Sequence, residues 1–144
     1  MSAEELWNEF IQKYNINENK FEAWAFGENT KELTKLVLKG IKTATSSLYV
    51  LYENELLPKV DEYSILLDEY GNAKCIIKNK KVEIISFNKI IEEHAFLEGE
   101  SDRTLSTWRK IHQSFFTRCL EEKGMTFDEK MLVVCEQFNV VYKQ

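Results

Sequence analysis

Residues 63–87 read YSILLDEYGNAKCIIKNKKVEIISF, and this stretch decides the fold class. It holds three short runs rich in β-branched and apolar residues, at Tyr63–Leu67, Lys74–Lys78 and Val82–Phe87, with Gly71-Asn72 after the first. Runs of this length between turn residues are typical of strands, and a glycine followed by asparagine is typical of a tight turn. The stretch therefore predicts an antiparallel meander of three strands.

Helical patterns lie on both sides of this strand region. Apolar residues recur at helical spacing within residues 3–14, 29–40, 88–97 and 101–120. In the second of these helices, Asn29 and Glu32 are expected to form a capping box, and in the fourth Ser101 or Asp102 is the expected cap. Leu132–Tyr142 alternates in polarity and predicts a last strand. Helices that flank a run of strands predict an α+β fold with a small mixed sheet that can close into a barrel.

The composition fits one globular domain and excludes one class of partner. The chain has 144 residues, of which 44% are hydrophobic, and a formal net charge of -5. Proteins that coat duplex nucleic acid depend on many contacts between Lys or Arg and phosphate, so this charge disfavours that class. It leaves open a small pocket that takes one anionic group.

The N-terminus and the cysteines exclude further classes. The first residues are acidic where a secretory signal carries positive charge, and no apolar run approaches the ~18 residues of a membrane span. We therefore expect a cytoplasmic protein without a membrane partner. Cys75, Cys119 and Cys135 lie far apart, which fits neither a disulfide framework nor a zinc site. With only 2 histidines, a metal site would have to be rich in carboxylates, and we expect no metal. We also expect no cofactor.

Residues 40–47, GIKTATSS, combine one lysine with four hydroxyl side chains. An ammonium group and hydroxyls suit a phosphate, a carboxylate or a polarised carbonyl, which makes Lys42, Thr43, Thr45 and Ser46 candidate site residues. The same pattern also fits a glycine helix stop followed by a Thr-rich strand. In an extended strand Lys42 and Thr45 point to opposite faces, so they share a site only if a turn intervenes.

Residues 94–102, HAFLEGESD, bring several carboxylates together. His94 and Glu98 are four residues apart and would lie on one helix face, while Glu98, Glu100 and Asp102 surround a glycine. Crowded carboxylates raise one another's pKa, which a general acid or base near neutral pH requires. The alternative is a helix end followed by the acidic cap of the next helix, which explains Asp102 but not Glu98.

Two further groups are candidates for ligand binding. Glu136 falls on the apolar face of the last predicted strand and needs a partner, for which Lys42, Arg103 or Arg109 would serve. A structural ion pair is the favoured interpretation, although such a pair could line a pocket. Trp24 and Phe26 could stack a base beside the cation, but residues of this kind are more often plain core.

Taken together, these segments resemble the ASCH domain family. The resemblance rests on the order and spacing of Trp24–Gly27, Gly40–Thr45, Pro58–Asp68, His94–Asp102 and Cys135–Phe138, and it covers roughly residues 21–142. It implies a PUA-like mixed β-barrel with helices packed around it, a domain at 21–144, and an N-terminal helical extension at 1–20. It also implies a cleft at the barrel mouth lined by the Gly-x-Lys-Thr segment.

The resemblance also implies activities. The family is regarded as RNA-associated, some members are hydrolases, and one branch removes the acetyl group from acetylcytidine with residues that fall here on Lys42, Thr45 and Glu98. In that chemistry Thr45 would attack the amide carbonyl, Lys42 would accept its proton or stabilise the oxyanion, and Glu98 would protonate the leaving amine. Lys42 would then need a depressed pKa. That branch is shorter than this chain, and Asp61 stands where the family usually has glycine.

We therefore expect the chain to bind single-stranded RNA or a nucleoside-like ligand in a cleft lined by Lys, Thr and Glu. The expected ligand-binding residues are Trp24, Phe26, Thr43, Ser46 and Glu136. The alternative is a hydrolase that uses Lys42, Thr45 and Glu98, either an amidohydrolase for an acetylated cytidine-like substrate or an RNA phosphodiesterase.

Overall fold

The structure is a computed structural model that describes residues 1–143. Its strands are β1 (Glu22–Trp24), β2 (Ala44–Leu48), β3 (Tyr63–Leu67), β4 (Ala73–Ser86) and β5 (Leu132–Lys143). Its α-helices are α1 (Ala3–Lys13), α2 (Thr30–Leu38), α3 (Glu92–Glu98) and α4 (Leu105–Glu121). The strands form one curled, half-barrel sheet in the order β1-β3-β4-β5-β2, with β1 parallel to β3 and the other neighbours antiparallel. The predicted α+β fold of PUA-like type is confirmed.

The middle of the sheet differs from the predicted meander in one respect. β3 spans the predicted residues, but the two strands predicted at 74–78 and 82–87 are a single strand, β4. The polar run between them contains a register shift between Asn79 and Lys81, where the pairing with β5 skips a residue. A bulge of this kind bends a strand without ending it, which is why a polar run was mistaken for a break.

The helix α1 packs on the β3-β4 part of the sheet. Ser2 and Glu5 form a capping box at its start. Its apolar face buries Leu6, Trp7 and Phe10 against Ile65 and Ile76. These side chains are nearly inaccessible to solvent, so α1 shares a core with the sheet.

Two predicted helix caps were wrong. Asn29 adopts a left-handed backbone with φ of 52° and makes no side-chain cap bond, so no capping box with Glu32 forms. The last helix begins later than predicted, at Leu105, and Thr104 caps it by accepting a hydrogen bond from the Thr107 amide. Asp102 instead accepts hydrogen bonds from the amide and hydroxyl of Thr104.

The helices α3 and α4 cover the other end of the sheet, beside β2. Trp108, Phe116 and Leu120 of α4 pack in one apolar cluster with Leu48 and Val133. On residues 1–143, no helix is both long enough and apolar enough to cross a membrane. The polar residues described below lie where α3, α4 and the start of β2 meet.

Candidate functional site

A cavity of about 690 Å³ opens beside the charged residues where α3 and α4 meet β2. Seven of the eight predicted site residues line it, drawn from four parts of the chain: Trp24, Phe26, Lys42, Thr45, Ser46, Glu98 and Glu136. Thr43 does not line it. The Thr43 amide donates to the Leu97 carbonyl (2.8 Å) and its own carbonyl accepts from the Phe138 amide (3.0 Å), so it ties α3 to β5.

A turn brings Lys42 and Thr45 to the same cavity. The chain leaves α2 at Gly40, and the amides of Ile41 and Lys42 both donate to the Leu36 carbonyl, at 3.0 and 3.1 Å. The strand β2 begins only at Ala44, so strand alternation does not apply to Lys42. The turn that Lys42 and Thr45 need in order to share one site is therefore present.

Lys42 and Glu98, which line the cavity, form a buried ion pair. Each is only 1% exposed, and Lys42 Nζ lies 2.8 Å from Glu98 Oε1 and 3.2 Å from Glu100 Oε2. A buried charge is tolerated only when it is paired and hydrogen-bonded. The two carboxylates raise the pKa of Lys42, although burial alone would lower it.

Glu98 is satisfied by donors on both of its oxygens. Its Oε2 accepts from the Ser46 hydroxyl (2.5 Å), the Trp108 indole N–H (2.7 Å) and His94 Nε2 (3.0 Å). Burial would raise the pKa of Glu98, but Lys42, His112 and the hydrogen bond from His94 hold it well below its usual value. Glu98 is therefore a carboxylate at neutral pH.

Ser46, His94 and Glu98 touch one another but do not form a nucleophilic triad. Ser46 Oγ lies 2.7 Å from His94 Nε2, and Glu98 Oε2 contacts that same nitrogen. In a triad the acid and the serine bind opposite nitrogens of the imidazole, so that the ring can carry a proton between them. Here the Ser46 hydroxyl already donates to Glu98, so His94 Nε2 is the donor to both oxygens.

His112 completes the cluster from α4. Its ring stacks on Trp108 with centroids 4.3 Å apart, and its Nδ1–H donates to the Trp108 carbonyl (3.0 Å). Nε2 faces carboxylate oxygens of Glu98 at 3.5 Å and of Glu100 at 3.9 Å. Burial alone would lower the pKa of His112, but the carboxylates raise it. With Nδ1 already a donor, a proton on Nε2 is the state that suits two facing carboxylates.

The protonation states bear directly on the predicted chemistry. A raised pKa keeps Lys42 as an ammonium ion, which suits stabilisation of an oxyanion and opposes a role as general base. Glu98 has a lowered pKa, which opposes a role as general acid. Glu100 differs, because its burial raises its pKa, and it lines the same cavity. Glu100 is thus better suited than Glu98 to donate a proton.

The residues Glu98, Glu100 and His112 could also hold a metal ion. They offer one ligand atom each, all within 4.8 Å of one another. The Nδ1–H bond of His112 to a carbonyl resembles the outer contact that orients histidine ligands. However, Lys42 Nζ already lies against both carboxylates, so a metal would have to displace it. The absence of a metal therefore stays a prediction.

Glu136 has a different partner from those predicted. Its Oε1 accepts from Asn79 Nδ2 at 3.0 Å, whereas Arg103 donates to the carbonyls of Phe96 and Ile41, and Arg109 to that of Asn88. Burial raises the pKa of Glu136, since no cation compensates it. The expected ion pair is wrong, and its place is taken by a bond between an amide and a carboxyl group.

Several cavity residues were missed by the sequence reasoning. His112 of the cavity lining and Trp108, which contacts Glu98 from behind it, were given no role in the site, although a histidine four residues after a tryptophan on an apolar helix face indicates a buried polar contact. Asn79 gave no signal, because it reaches the cavity only through tertiary packing. Phe26 does face the cation as expected, with its ring centroid 5.4 Å from Lys42 Nζ.

Comparison with known proteins identifies the family. The model of the ASCH domain matches residues 22–142. This chain belongs to the ASCH domain family. The ASCH match runs from the start of β1 to Tyr142 of β5 and includes Lys42, Glu98, Glu100 and His112, while α1 precedes it.

Two solved structures support this assignment. The chain superimposes with a TM-score of 0.90 on an ASCH domain from Lactobacillus crispatus JV V101, with 31% identity over 96% of this chain and 93% of that one. It also superimposes with a TM-score of 0.90 on a protein from Enterococcus faecalis V583, with 36% identity over 96% of this chain and 87% of that one. No curated protein matches this ASCH sequence significantly.

Proposed function

We propose that this ASCH domain binds a nucleoside-like ligand, or one base of a single-stranded RNA, in the cavity beside Lys42. The observation that carries the proposal is a cavity of about 690 Å³ in which aromatic side chains adjoin one concentrated polar cluster. This volume lies within the roughly 300–1,000 Å³ of small-ligand sites, which combine apolar walls with few orienting polar groups. The expected cytoplasmic location remains a prediction.

The walls suit a flat, partly polar ligand. Trp24, Phe26, Tyr52 and Phe115 contribute aromatic rings, and aromatic faces stack on bases of any sequence. Trp24 and Phe26 lie edge to face, with centroids 5.1 Å apart, so one ring supports the other. The ligand would thus lie between aromatic surfaces with a polar edge toward Lys42 and Ser46.

A hydrolase is the second candidate, and Thr45 favours it. The Thr45 side chain lines the cavity and makes no hydrogen bond with any residue in 1–143, so its hydroxyl is free to act on a ligand. The ammonium group of Lys42 would stabilise an oxyanion on a bound amide or ester. Glu100, with its raised pKa, would protonate the leaving group. A carboxylate of the lining would accept the Thr45 proton, and water would then hydrolyse the ester formed on Thr45 and release the acid. This scheme keeps the predicted role of Thr45 as nucleophile and moves the role of proton donor from Glu98 to Glu100.

A calorimetric titration tests the binding proposal. Cytidine, acetylcytidine and a short unstructured RNA are titrated at two salt concentrations. We expect saturable binding of at least one of them, weakened in Phe26→Ala by roughly 5- to 150-fold, as one lost stack of about 1–3 kcal/mol implies. Tyr70→Ala is the matched control, because Tyr70 is 82% exposed and outside the cavity. Binding of none of the three probes would refute the proposal.

The same samples test the hydrolase. Deacetylated cytidine or RNA fragments are quantified by chromatography after incubation with and without divalent metal. A hydrolase predicts product that disappears in Thr45→Val while binding persists. If wild type gives no product although it binds the probe, the domain is a binding module.

A further inference from the structure

The cavity has a second polar group, Glu136 with Asn79, besides the cluster around Glu98. Asn79 is 5% exposed, and its Nδ2 donates to Glu136 Oε1 (3.0 Å) and to the Lys59 carbonyl (3.4 Å). Both amide hydrogens are therefore used, which fixes the orientation of the amide. Within residues 1–143, Glu136 Oε2 makes no hydrogen bond, and Glu136 lines the cavity. Its free oxygen is available to a ligand.

The cavity lining is strongly acidic. Its acidic side chains are Glu22, Glu28, Glu55, Glu62, Glu98, Glu100 and Glu136. The basic lining residues are Lys42 and His112, and both already face Glu98 and Glu100. A concave surface with one sign of charge concentrates its field on whatever enters. Glu28 is paired with Arg118, so a phosphate group inside this cavity would meet chiefly the negative charge of Glu22, Glu55 and Glu62, for which the lining holds no further basic residue.

The state of Glu136 determines what its carboxyl group can offer. Burial raises its pKa and no basic side chain opposes that shift. With a proton its carboxyl group presents an O–H donor beside a C=O acceptor, and without one it presents acceptors only. The Watson–Crick edge of a base, or any amide or amidine edge, carries a donor next to an acceptor, so it can donate to Glu136 in either state and can also accept where the carboxyl group holds its proton.

We propose that the cavity selects an uncharged heterocycle or nucleoside, and that Glu136 is the specificity-determining residue that pairs with its donor–acceptor edge. Phosphate groups of the same ligand, including an RNA backbone, stay outside the acidic lining. This inference rests on the proposed function and narrows it to a ligand class. It assigns two separate polar groups of the cavity to different tasks, with Glu136 for recognition of the edge and Lys42 for the remaining polar group.

The test compares nucleosides with their phosphates. Cytidine, uridine, adenosine, guanosine and the four 5′-monophosphates are titrated calorimetrically at low salt. For each nucleoside that binds, we expect its monophosphate to bind about tenfold more weakly or worse, with the gap closing as salt screens the carboxylates. Glu22→Gln/Glu55→Gln should narrow the gap, since both residues line the cavity, while Glu69→Gln outside it should not.

Variants of Glu136 test its role separately. Glu136→Gln keeps a donor beside an acceptor, so we expect its nucleoside affinity to remain within about threefold of wild type, whereas Glu136→Ala should lose about tenfold or more. Thermal unfolding of each variant separates a binding loss from a folding loss. Equal affinities for nucleosides and monophosphates, or an unchanged affinity in a folded Glu136→Ala, would overturn this inference while leaving the proposed function intact. Failure of every nucleoside, monophosphate and RNA to bind would overturn both.

Discussion

At the scale of single residues, Glu98 is the shared acceptor of the polar cluster, and His112 is a titratable group that faces it. Glu98 receives donors from Ser46, His94, Trp108 and Lys42, so its removal would leave several buried polar groups unpaired. The spacing of His94 and Glu98 was predicted from the sequence because it follows from helix geometry. The contribution of His112 could not be predicted, since α4 is distant in sequence and only packing brings its imidazole to Glu98.

Because the pKa of His112 is raised by folding, stability should depend on pH. A raised pKa means that the folded chain binds the His112 proton more tightly than the unfolded chain does. The stabilisation that results is complete below pH 6.5, the ordinary pKa of histidine, and is lost as the pH rises through the pKa of the folded state. The raised pKa of Glu100 likewise makes the free energy of unfolding fall as the pH rises above 4.5. Glu98 has a lowered pKa, so its contribution to that free energy is lost only as the pH falls below 4.5. The free energy of unfolding should therefore decline above pH 6.5.

Urea unfolding from pH 5 to pH 9 measures this decline, which cannot exceed about 1.4 kcal/mol per pH unit for one proton. His112→Gln removes the titrating ring and should flatten the curve above pH 6.5, leaving the part due to the raised pKa values of Glu100 and Glu136. Parallel curves for wild type and His112→Gln would show that folding does not shift the pKa of His112.

At the scale of elements, the end of α3 decides where Glu98 and Glu100 lie. Gly99 separates them with a φ of +71°, and a Cβ there would stand 2.6 Å from the Ile41 carbonyl oxygen. Gly40 also has a left-handed φ, of +76°, but nothing lies within 4 Å of its Cβ position. Both glycines therefore need a left-handed backbone. They differ in that only Gly99 lies against another segment, the turn before β2.

Gly40→Ala should therefore cost about 1 kcal/mol of unfolding free energy, for the left-handed backbone alone. Gly99→Ala should cost clearly more, because the Ile41 backbone must move, and it should also weaken ligand binding by displacing Glu100 and Lys42. Chemical denaturation and the nucleoside titration measure the two effects. A loss in Gly99→Ala no larger than that in Gly40→Ala would mean that the contact with Ile41 imposes no constraint.

Element boundaries illustrate what local sequence can and cannot predict. Tyr63–Leu67 and the core of α1 were predicted because their apolar spacing has the period of a strand or a helix. The sequence did not predict that β4 continues through Lys80 or that Asn29 has a left-handed backbone. Both features depend on contacts with segments that are distant in sequence. In the same way, Glu136 looked like half of an ion pair until the structure supplied Asn79.

At the scale of the whole molecule, the order of motifs predicted the family, and the cavity then gathered most of the predicted site residues. The excess of acidic over basic side chains in the cavity lining could not be predicted from the sequence. The net charge of -5 and the exposed lysines of α2 gave no indication that several glutamates line one concave surface. Such a surface forms only when β1, α3 and the segment before β3 converge, and local patterns do not encode that convergence.

The role of α1 can be decided at this same scale. The sequence assigned residues 1–20 to an extension outside the domain, and the family match begins at residue 22. However, Trp7 is 3% exposed and its ring packs 5.3 Å from that of Tyr63 on β3, while the Tyr142 hydroxyl donates to Glu9 (2.5 Å). Such contacts predict that α1 and the sheet unfold together.

Trp7→Ala should accordingly lower the unfolding free energy of the whole chain by about 3–5 kcal/mol, as expected for a large buried aromatic side chain. Asn8→Ala, on the exposed face of the same helix, is the control and should change little. Urea unfolding is followed by circular dichroism, which reports the whole chain, and by indole fluorescence, which reports the tryptophans. One transition shared by both probes and shifted by Trp7→Ala is expected. If α1 were a separate extension, the stability of the sheet would not depend on the burial of Ile65 and Ile76 by α1. Trp7→Ala would then leave the unfolding transition of the sheet at the wild-type urea concentration.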